Sequence, residues 1–387
     1  MLQAAIIISI VLFTSYAVLI IFYAISWRSI PAFVEQKNKV ETVIPFLSII
    51  IPARNERLYI KACLAALQLQ TYPKHLYEVI VVDDHSEDDT AAIVKNYPAS
   101  NVQLISLKDF VESNAINSYK KKAIEVALLQ AKGELIITTD ADCTMPTEWL
   151  QTIAAFYKQT NAALIVMPVV FINNNRSFGE KLLSIFQSLD FMVLQGITGA
   201  SVYKKAHSMC NGANLAYTKA AFIAVNGFKG IDAIASGDDM LLMHKIFSRY
   251  PDAVKFLSSQ KVIVQTQPAN SLKAFFNQRI RWASKADKYD DKRITAVLAL
   301  VYFFNVWILV LLLAAAFNGS LALLFLLLII AKTLLELVLL YPIADFFSNK
   351  KLLPYFPMAQ PFHICYTVIA GWLGKFGTYQ WKGRKVK

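Results

Sequence analysis

The sequence predicts an α/β fold: a mostly parallel, Rossmann-like sheet in a central domain, with transmembrane helices at both ends of the chain. Three observations carry that prediction. Strand-like apolar runs alternate with helical spacings through the first half of the central region. Three of those runs end in polar clusters, Pro52-Ala53-Arg54-Asn55-Glu56, Asp83-Asp84-His85-Ser86 and Asp140-Ala141-Asp142. The chain of 387 residues is 56% hydrophobic, with a mean hydropathy of +0.43, and the excess sits at its two ends. An ordinary soluble domain carries about 45–50% apolar residues.

Residues 4–26 hold no charge and are long enough to cross a bilayer core, which takes about 20 apolar residues. No basic stretch precedes them and no small-x-small cleavage site follows, so the segment reads as an uncleaved anchor (1–27) rather than a signal peptide. Arg28 comes directly after it, which places the next segment in the cytoplasm.

That segment, 28–292, reads as one domain without repeats or low-complexity stretches. Residues 46–51 form a β-rich run ending at Pro52, and 60–70 have helical spacing. Residues 79–82 make a second strand, 90–95 begin a helix, 102–107 make a third strand, 121–131 a helix and 135–139 a fourth strand. In parallel sheets, ligands sit beyond the carboxyl ends of the strands, where the three polar clusters lie. Alternate residues of an extended chain point the same way, so Asp140 and Asp142 can share a ligand. Two hard oxygen donors suit a divalent cation carrying phosphates, although an isolated acid-x-acid triplet is more often a solvated loop end. Residues 178–195 are amphipathic, with Phe186, Leu189, Phe191 and Met192 as their apolar part; a membrane surface, a cleft or the core would each account for them.

Beyond the central domain, 293–387 form a C-terminal membrane region. Residues 296–317 make a second span, flanked by Lys292 and Arg293. Asn318-Gly319-Ser320 makes a turn, and 321–340 return as a third span. Lys332 and Glu336 lie inside that span at i, i+4 spacing, which favours a mutual salt bridge over contact with substrate. Residues 362–376 are short, contain Gly371 and Gly374, and follow Pro354, Pro357 and Pro361. A fourth crossing would export the cationic tail of Lys382, Arg384, Lys385 and Lys387. A re-entrant or interfacial segment is therefore expected, in a multi-pass inner-membrane protein.

The net charge of +12 comes without a nucleic-acid recognition module, so anionic lipid and nucleotide phosphates are the expected partners, not nucleic acid. Cys63, Cys143, Cys210 and Cys365 have no metal-site spacing, and reduced packing thiols are expected.

Four motifs follow one another in order: Pro52 to Glu56 with Asp83-Asp84, Thr139-Asp140-Ala141-Asp142-Cys143, Gly237-Asp238-Asp239, and Gln278-Arg279-Ile280-Arg281-Trp282. Together they resemble the membrane-bound family 2 glycosyltransferases, the group that includes cellulose and hyaluronan synthases and ceramide glucosyltransferase. The resemblance covers 46–282 and a tail of Trp381-Lys382-Gly383-Arg384. It implies a GT-A fold, inverting transfer from a UDP-sugar, and a divalent metal, Mg or Mn. Carried over by position, Pro52, Arg54, Asn55, Glu56 and Asp84 hold the uridine, and Lys120 lies near the nucleotide phosphates. Asp140 contacts the nucleotide and shares with Asp142 the metal on the diphosphate. Asp239 is the catalytic base with Asp238 beside it, and Gln278, Arg281 and Trp282 close over diphosphate and acceptor. Gly212-Ala213-Asn214-Leu215 resembles the stretch bordering the acceptor. Tyr119 stands where a glycine is usual, and Asp238 where many members have glutamate.

The chemistry calls for the same residue types. Negative charge grows on the leaving diphosphate, which a metal and a guanidinium stabilise, and a carboxylate takes the acceptor proton. An indole can stack on a sugar or a lipid acceptor. Each motif also has a plainer reading. Asp83 or Asp84 could be a turn residue, Asp238-Asp239 could cap a helix starting at Met240, and Arg281-Trp282 could anchor a membrane interface. His85, His207 and His244 lack ligand spacing and read as structural. The expected function is transfer of one sugar to a membrane lipid or lipid-linked acceptor at the cytoplasmic face. A processive polysaccharide synthase is the alternative, and an inactive membrane scaffold a third reading.

Overall fold

The structure is a computed structural model that describes residues 2–35, 44–112, 115–172, 177–285, 291–377, 379–381 and 384–386. A long helix, α1 (Leu2–Arg28), leads into the central domain. There β1 (Leu47–Ala53), α2 (Ile60–Gln68), β2 (Tyr77–Asp83), α3 (Thr90–Lys95), β3 (Val102–Ser106), α4 (Tyr119–Gln130), β4 (Leu135–Thr138) and α5 (Trp149–Thr160) alternate as the sequence predicts. Then come β5 (Leu164–Val166), β6 (Val169–Phe171), α6 (Phe178–Lys204), β7 (Leu215–Thr218), α7 (Lys219–Ala224), α8 (Asp238–Arg249), β8 (Val254–Phe256), β9 (Val264–Thr266) and α9 (Leu272–Ala283). The chain closes with α10 (Lys292–Ala315), α11 (Gly319–Phe346), α12 (Phe356–Phe376) and two short strands, β10 (Tyr379–Trp381) and β11 (Arg384–Val386).

The main sheet has seven strands in the order β3-β2-β1-β4-β7-β5-β8. Strands β3, β2, β1 and β4 are parallel, while β7 runs antiparallel to both β4 and β5. Nearly every residue of β1, β2 and β4 is buried, which is why these strands read as unbroken apolar runs. Their side chains divide by period 2. Ile49, Ile51, Val79, Val81 and Ile137 pack with α2 and α5, whereas Ile50, Ile80, Val82 and Ile136 pack with α4. From β1 the chain runs outward to β2 and β3, then returns to β4 on the other side of β1. The crevice between the carboxyl ends of β1 and β4 is therefore a topological switch point, where such sheets bind ligands.

Among the described residues, four helices are long and apolar enough to cross a membrane: α1, α6, α10 and α11. The most apolar stretch of α6 is 72% buried within the protein, against 22%, 22% and 33% for the other three. The amphipathic segment at 178–195 is thus part of a helix that protein encloses from Ser184 onward, started by a capping box between Ser177 and Glu180. Trp27 at the end of α1 packs edge-on against Phe256 and Phe346, tying α1 to the central domain and to α11. Lys332 pairs with Glu336 at 2.6 Å and donates to Gln360 of α12 at 3.0 Å, and Tyr16 of α1 donates to Glu336. The two ionisable groups in α11 are satisfied by each other and by neighbouring helices, as buried charges are. Residues 362–376 belong to one continuous helix, α12, which starts earlier, at Phe356, and lies against α9, α10 and α6.

Candidate active site

A cleft of ≈ 240 Å³ opens at the β1/β4 switch point, and loops from both halves of the domain line it. Its first wall is the end of β1 and the turn after it, from which Pro52, Arg54 and Glu56 face the cleft, with Asp84 beside them. Arg54 Nη1 donates to the Asp84 carbonyl at 3.0 Å and lies 3.9 Å from its carboxylate. The His85 ring meets Asp84 Oδ1 through Nδ1 and the Val111 carbonyl through Nε2, both at 3.0 Å, so this histidine braces Asp84. Asn55 does not line the cleft. It takes a left-handed conformation, φ 54°, and accepts from the Glu87 N–H at 2.8 Å, which fixes the turn. Asp83 accepts from the Ser86 N–H at 3.3 Å and fills the turn role that one of the two aspartates was expected to take.

The floor carries Asp140 and Asp142. Both stand beyond β4, which ends at Thr138, and the Cys143 N–H returns to the Asp140 carbonyl at 3.2 Å. They meet in a turn rather than by strand alternation, because the strand has ended and the chain turns over residues 140–143. Thr266 donates to Asp142 Oδ2 at 3.2 Å. Lys120, in the first turn of α4, reaches Asp140 at 2.8 Å and Asp238 at 3.3 Å. Burial alone would lower its pKa; Asp140, then Asp238 and Asp239, outweigh it and hold the ammonium well above the usual lysine range. Tyr119 packs in the core and donates its hydroxyl to the Glu112 carbonyl at 3.1 Å.

The far wall is the start of α8. Gly237 takes a left-handed turn, φ 78°, and the helix begins at Asp238, two residues before the expected Met240. Asp239 accepts from the Gly212 N–H at 2.9 Å and from the Met240 N–H at 2.7 Å, while lining the cleft. The cap position is Gly237 and no side chain caps the helix, so the two aspartates stand in its first turn instead of ahead of it. Because β7 is antiparallel, the residues just ahead of it, 212–214, come to the carboxyl edge of β4. Thr139 donates to the Ala213 carbonyl at 2.9 Å, and Asn214 donates to Pro168 and Val262 at 2.8 and 2.7 Å.

The roof is α9 and the residues just past it. Gln278, Arg281, Trp282 and Lys285 line the cleft at i, i+3, i+4 and i+7, one face of a helical spacing. Arg279 points elsewhere. It pairs with the buried Asp190 of α6 at 2.6 Å and lies over Trp282, 4.2 Å from the ring centre. Tyr366 of α12 donates to the other Asp190 oxygen at 2.5 Å. Lys285 and Thr266 are cleft residues that the sequence reading missed. The helical stripe continued from Gln278 points to Lys285, whereas nothing local marks Thr266. The tail shared with the resembled family keeps its short strands β10 and β11, but Lys382 and Gly383 lie outside the described residues.

Comparison with known proteins agrees with this architecture. The family model described as glycosyl transferase family 2 matches residues 48–224. Glycosyltransferase AglE of Haloferax volcanii is 32% identical over 134 residues, covering 35% of this chain and 42% of that protein. Dolichyl-phosphate beta-glucosyltransferase of Dictyostelium discoideum is 33% identical over 122 residues, covering 29% of this chain and 35% of that protein. The aligned region therefore spans less than half the length of these two relatives. In fold, the mannosyltransferase PcManGT from Pyrobaculum calidifontis, solved with GDP-Man and Mn2+, superposes with a TM-score of 0.56. That match has 20% identity and covers 94% of this chain and 99% of that one. Residues 48–224 thus match a glycosyl transferase family 2 domain, on a mostly parallel α/β sheet of the GT-A type.

Proposed function

We propose that the protein is an inverting glycosyltransferase that moves one sugar from a nucleotide-sugar, a UDP-sugar, to a lipid or lipid-linked acceptor at the cytoplasmic membrane face. The observation that carries this reading is the single cleft into which Asp84, Asp140, Asp142, Asp239, Arg281 and Trp282 converge, on a domain joined to apolar helices. The similarity to dolichyl-phosphate beta-glucosyltransferase supports a lipid-linked acceptor. Helices α1, α10 and α11 are the spans of this proposal, with Arg28 setting the cytoplasmic side.

In this reading Arg54, Glu56 and Asp84 hold the nucleoside in the crevice beside β1. Asp140, oriented by Lys120, stands toward the nucleotide, and Asp142 lies next to the diphosphate. No group of three or more His, Cys, Asp or Glu among the described residues would cage a metal unaided. That donor set fits Mg2+ or Mn2+, ions held by one or two carboxylates plus substrate phosphates. Such an ion, when bound, neutralises charge on the departing diphosphate.

Asp239 accepts the proton of the acceptor hydroxyl as its oxygen attacks the anomeric carbon. The bond to the diphosphate breaks on the opposite side, which inverts the centre. The two backbone N–H groups on Asp239 fix its direction of approach. Arg281 faces the leaving diphosphate, and Trp282, held by Arg279, closes the roof and excludes water. The test is UDP release from a panel of UDP-sugars with Mg2+ or Mn2+ and membrane lipid, run on the purified protein and on Asp239→Asn. The reading requires release by the wild type and its loss in the variant. No release from any UDP-sugar refutes it.

A further inference from the structure

Resting on the proposed reading of the cleft, we propose that Lys285 is a phosphate-binding residue, whose ammonium takes a phosphate oxygen of a bound substrate at the Asp239 end of the cleft. Lys285 is 7% exposed, yet it lines the cleft. No carboxylate of the described residues lies within ion-pairing distance of it, in contrast to Lys120, which is held between Asp140 and Asp238. Its stem packs near Gly237, just ahead of the two aspartates that open α8. It also continues the stripe of Gln278, Arg281 and Trp282, so the roof presents a guanidinium and an ammonium one helical turn apart. Burial, partly opposed by Asp239, holds its pKa below the usual lysine value.

A buried cation without a partner is costly, and it persists where a ligand supplies the counter-charge. A hydroxyl or a sugar ring would leave that charge unmet; a phosphate oxygen meets it with a charge-assisted hydrogen bond. Two substrates could bring the phosphate to this end of the cleft: the donor, through its diphosphate, or the acceptor, through a phosphate on its lipid.

The experiment uses the full chain in detergent, as wild type, Lys285→Met and Lys285→Arg. Calorimetry gives the Kd for UDP and for a long-chain prenyl phosphate, with the matching uncharged prenol as control. Removing one charged hydrogen bond weakens phosphate binding about 10–100-fold. Weaker UDP binding in Lys285→Met, with recovery in Lys285→Arg, assigns the donor diphosphate. Weaker prenyl phosphate binding, with UDP and prenol unchanged, assigns the acceptor phosphate. Because no carboxylate among the described residues pairs with the ammonium, Lys285→Met is expected to melt no lower than the wild type. UDP and prenyl phosphate both bound as tightly by Lys285→Met as by the wild type overturns the proposal. A wild type that binds no UDP at all refutes the donor-site reading instead, which keeps the two failures apart.

Discussion

The pair that holds the roof of the cleft allows a prediction with a magnitude. Asp190 and Arg279 are each 4% exposed at the side chain and lie 2.6 Å apart, joining α6 to α9. Asp190→Ala removes the counter-charge and leaves a buried guanidinium, with two of its nitrogens already lacking a partner. Breaking a buried pair from one side costs about 3–5 kcal/mol. The Tyr366 hydroxyl also loses its acceptor, for about 1–3 kcal/mol more in the unrelaxed limit. Replacing both partners by apolar groups of similar size, Asp190→Leu with Arg279→Met, should instead leave only the Tyr366 cost, because no charge is left stranded. The assay is thermal melting of the detergent-solubilised protein, followed by tryptophan fluorescence. The single variant should melt far below the wild type and the double variant well above the single, short of the wild type by the Tyr366 cost. The double variant should still lose turnover, since Trp282 has lost the guanidinium that steadies it. The reasoning is refuted if Asp190→Ala costs no more than a surface change, about 0.5 kcal/mol, or if the double variant is as unstable as the single.

Three further outcomes follow from the site and its surroundings. Asp239→Asn should lower kcat by about 10²–10⁴ with UDP affinity retained, read by UDP release and calorimetry; unchanged turnover would remove the base from Asp239. Asp142→Ala should abolish the enhancement of UDP binding by Mg2+ or Mn2+ while leaving metal-free binding near the wild-type value, and an intact metal effect would place the ion elsewhere. His207, buried against Ser201 at 3.0 Å, has its pKa pushed down to about 4 by burial, with Arg293 adding to the shift and Asp291 opposing it. The unfolded chain binds this proton first, so stability falls as pH drops from about 6.5 to about 4, by on the order of 3 kcal/mol. Melting curves should show that slope in the wild type and a flatter one in His207→Gln.

Much of this arrangement is legible in the sequence, for reasons that differ from residue to residue. Strands β1, β2 and β4 stand out because both faces are buried, which forces continuous apolar runs, and because polar clusters follow at their carboxyl ends. Asp140, Asp142, Asp238 and Asp239 were readable as a set since the order of motifs adds what each alone lacks. The antiparallel β7 was not readable: its four residues carry no periodicity, and its partners are set by the return of the chain across β4. Thr266 reaches Asp142 from β9, a three-residue strand that pairs with β6 and bridges Thr144 through Gln265, so its place in the site exists in space and not in any local pattern. Asn55 and Asp83 belong to motif segments but serve the turns that aim their neighbours, a division that residue type does not encode. Arg279 sits inside the Gln278 to Trp282 motif and faces away from the cleft, because a helix turns adjacent residues by about 100°.

The most direct measurement is the mass spectrum of the lipid fraction after the purified protein has worked on a UDP-sugar, with divalent metal and membrane lipid present. The account predicts a lipid heavier by one sugar, formed together with UDP and absent with Asp239→Asn. A ladder of long polymer, or an unmodified lipid fraction under every UDP-sugar tested, would contradict it.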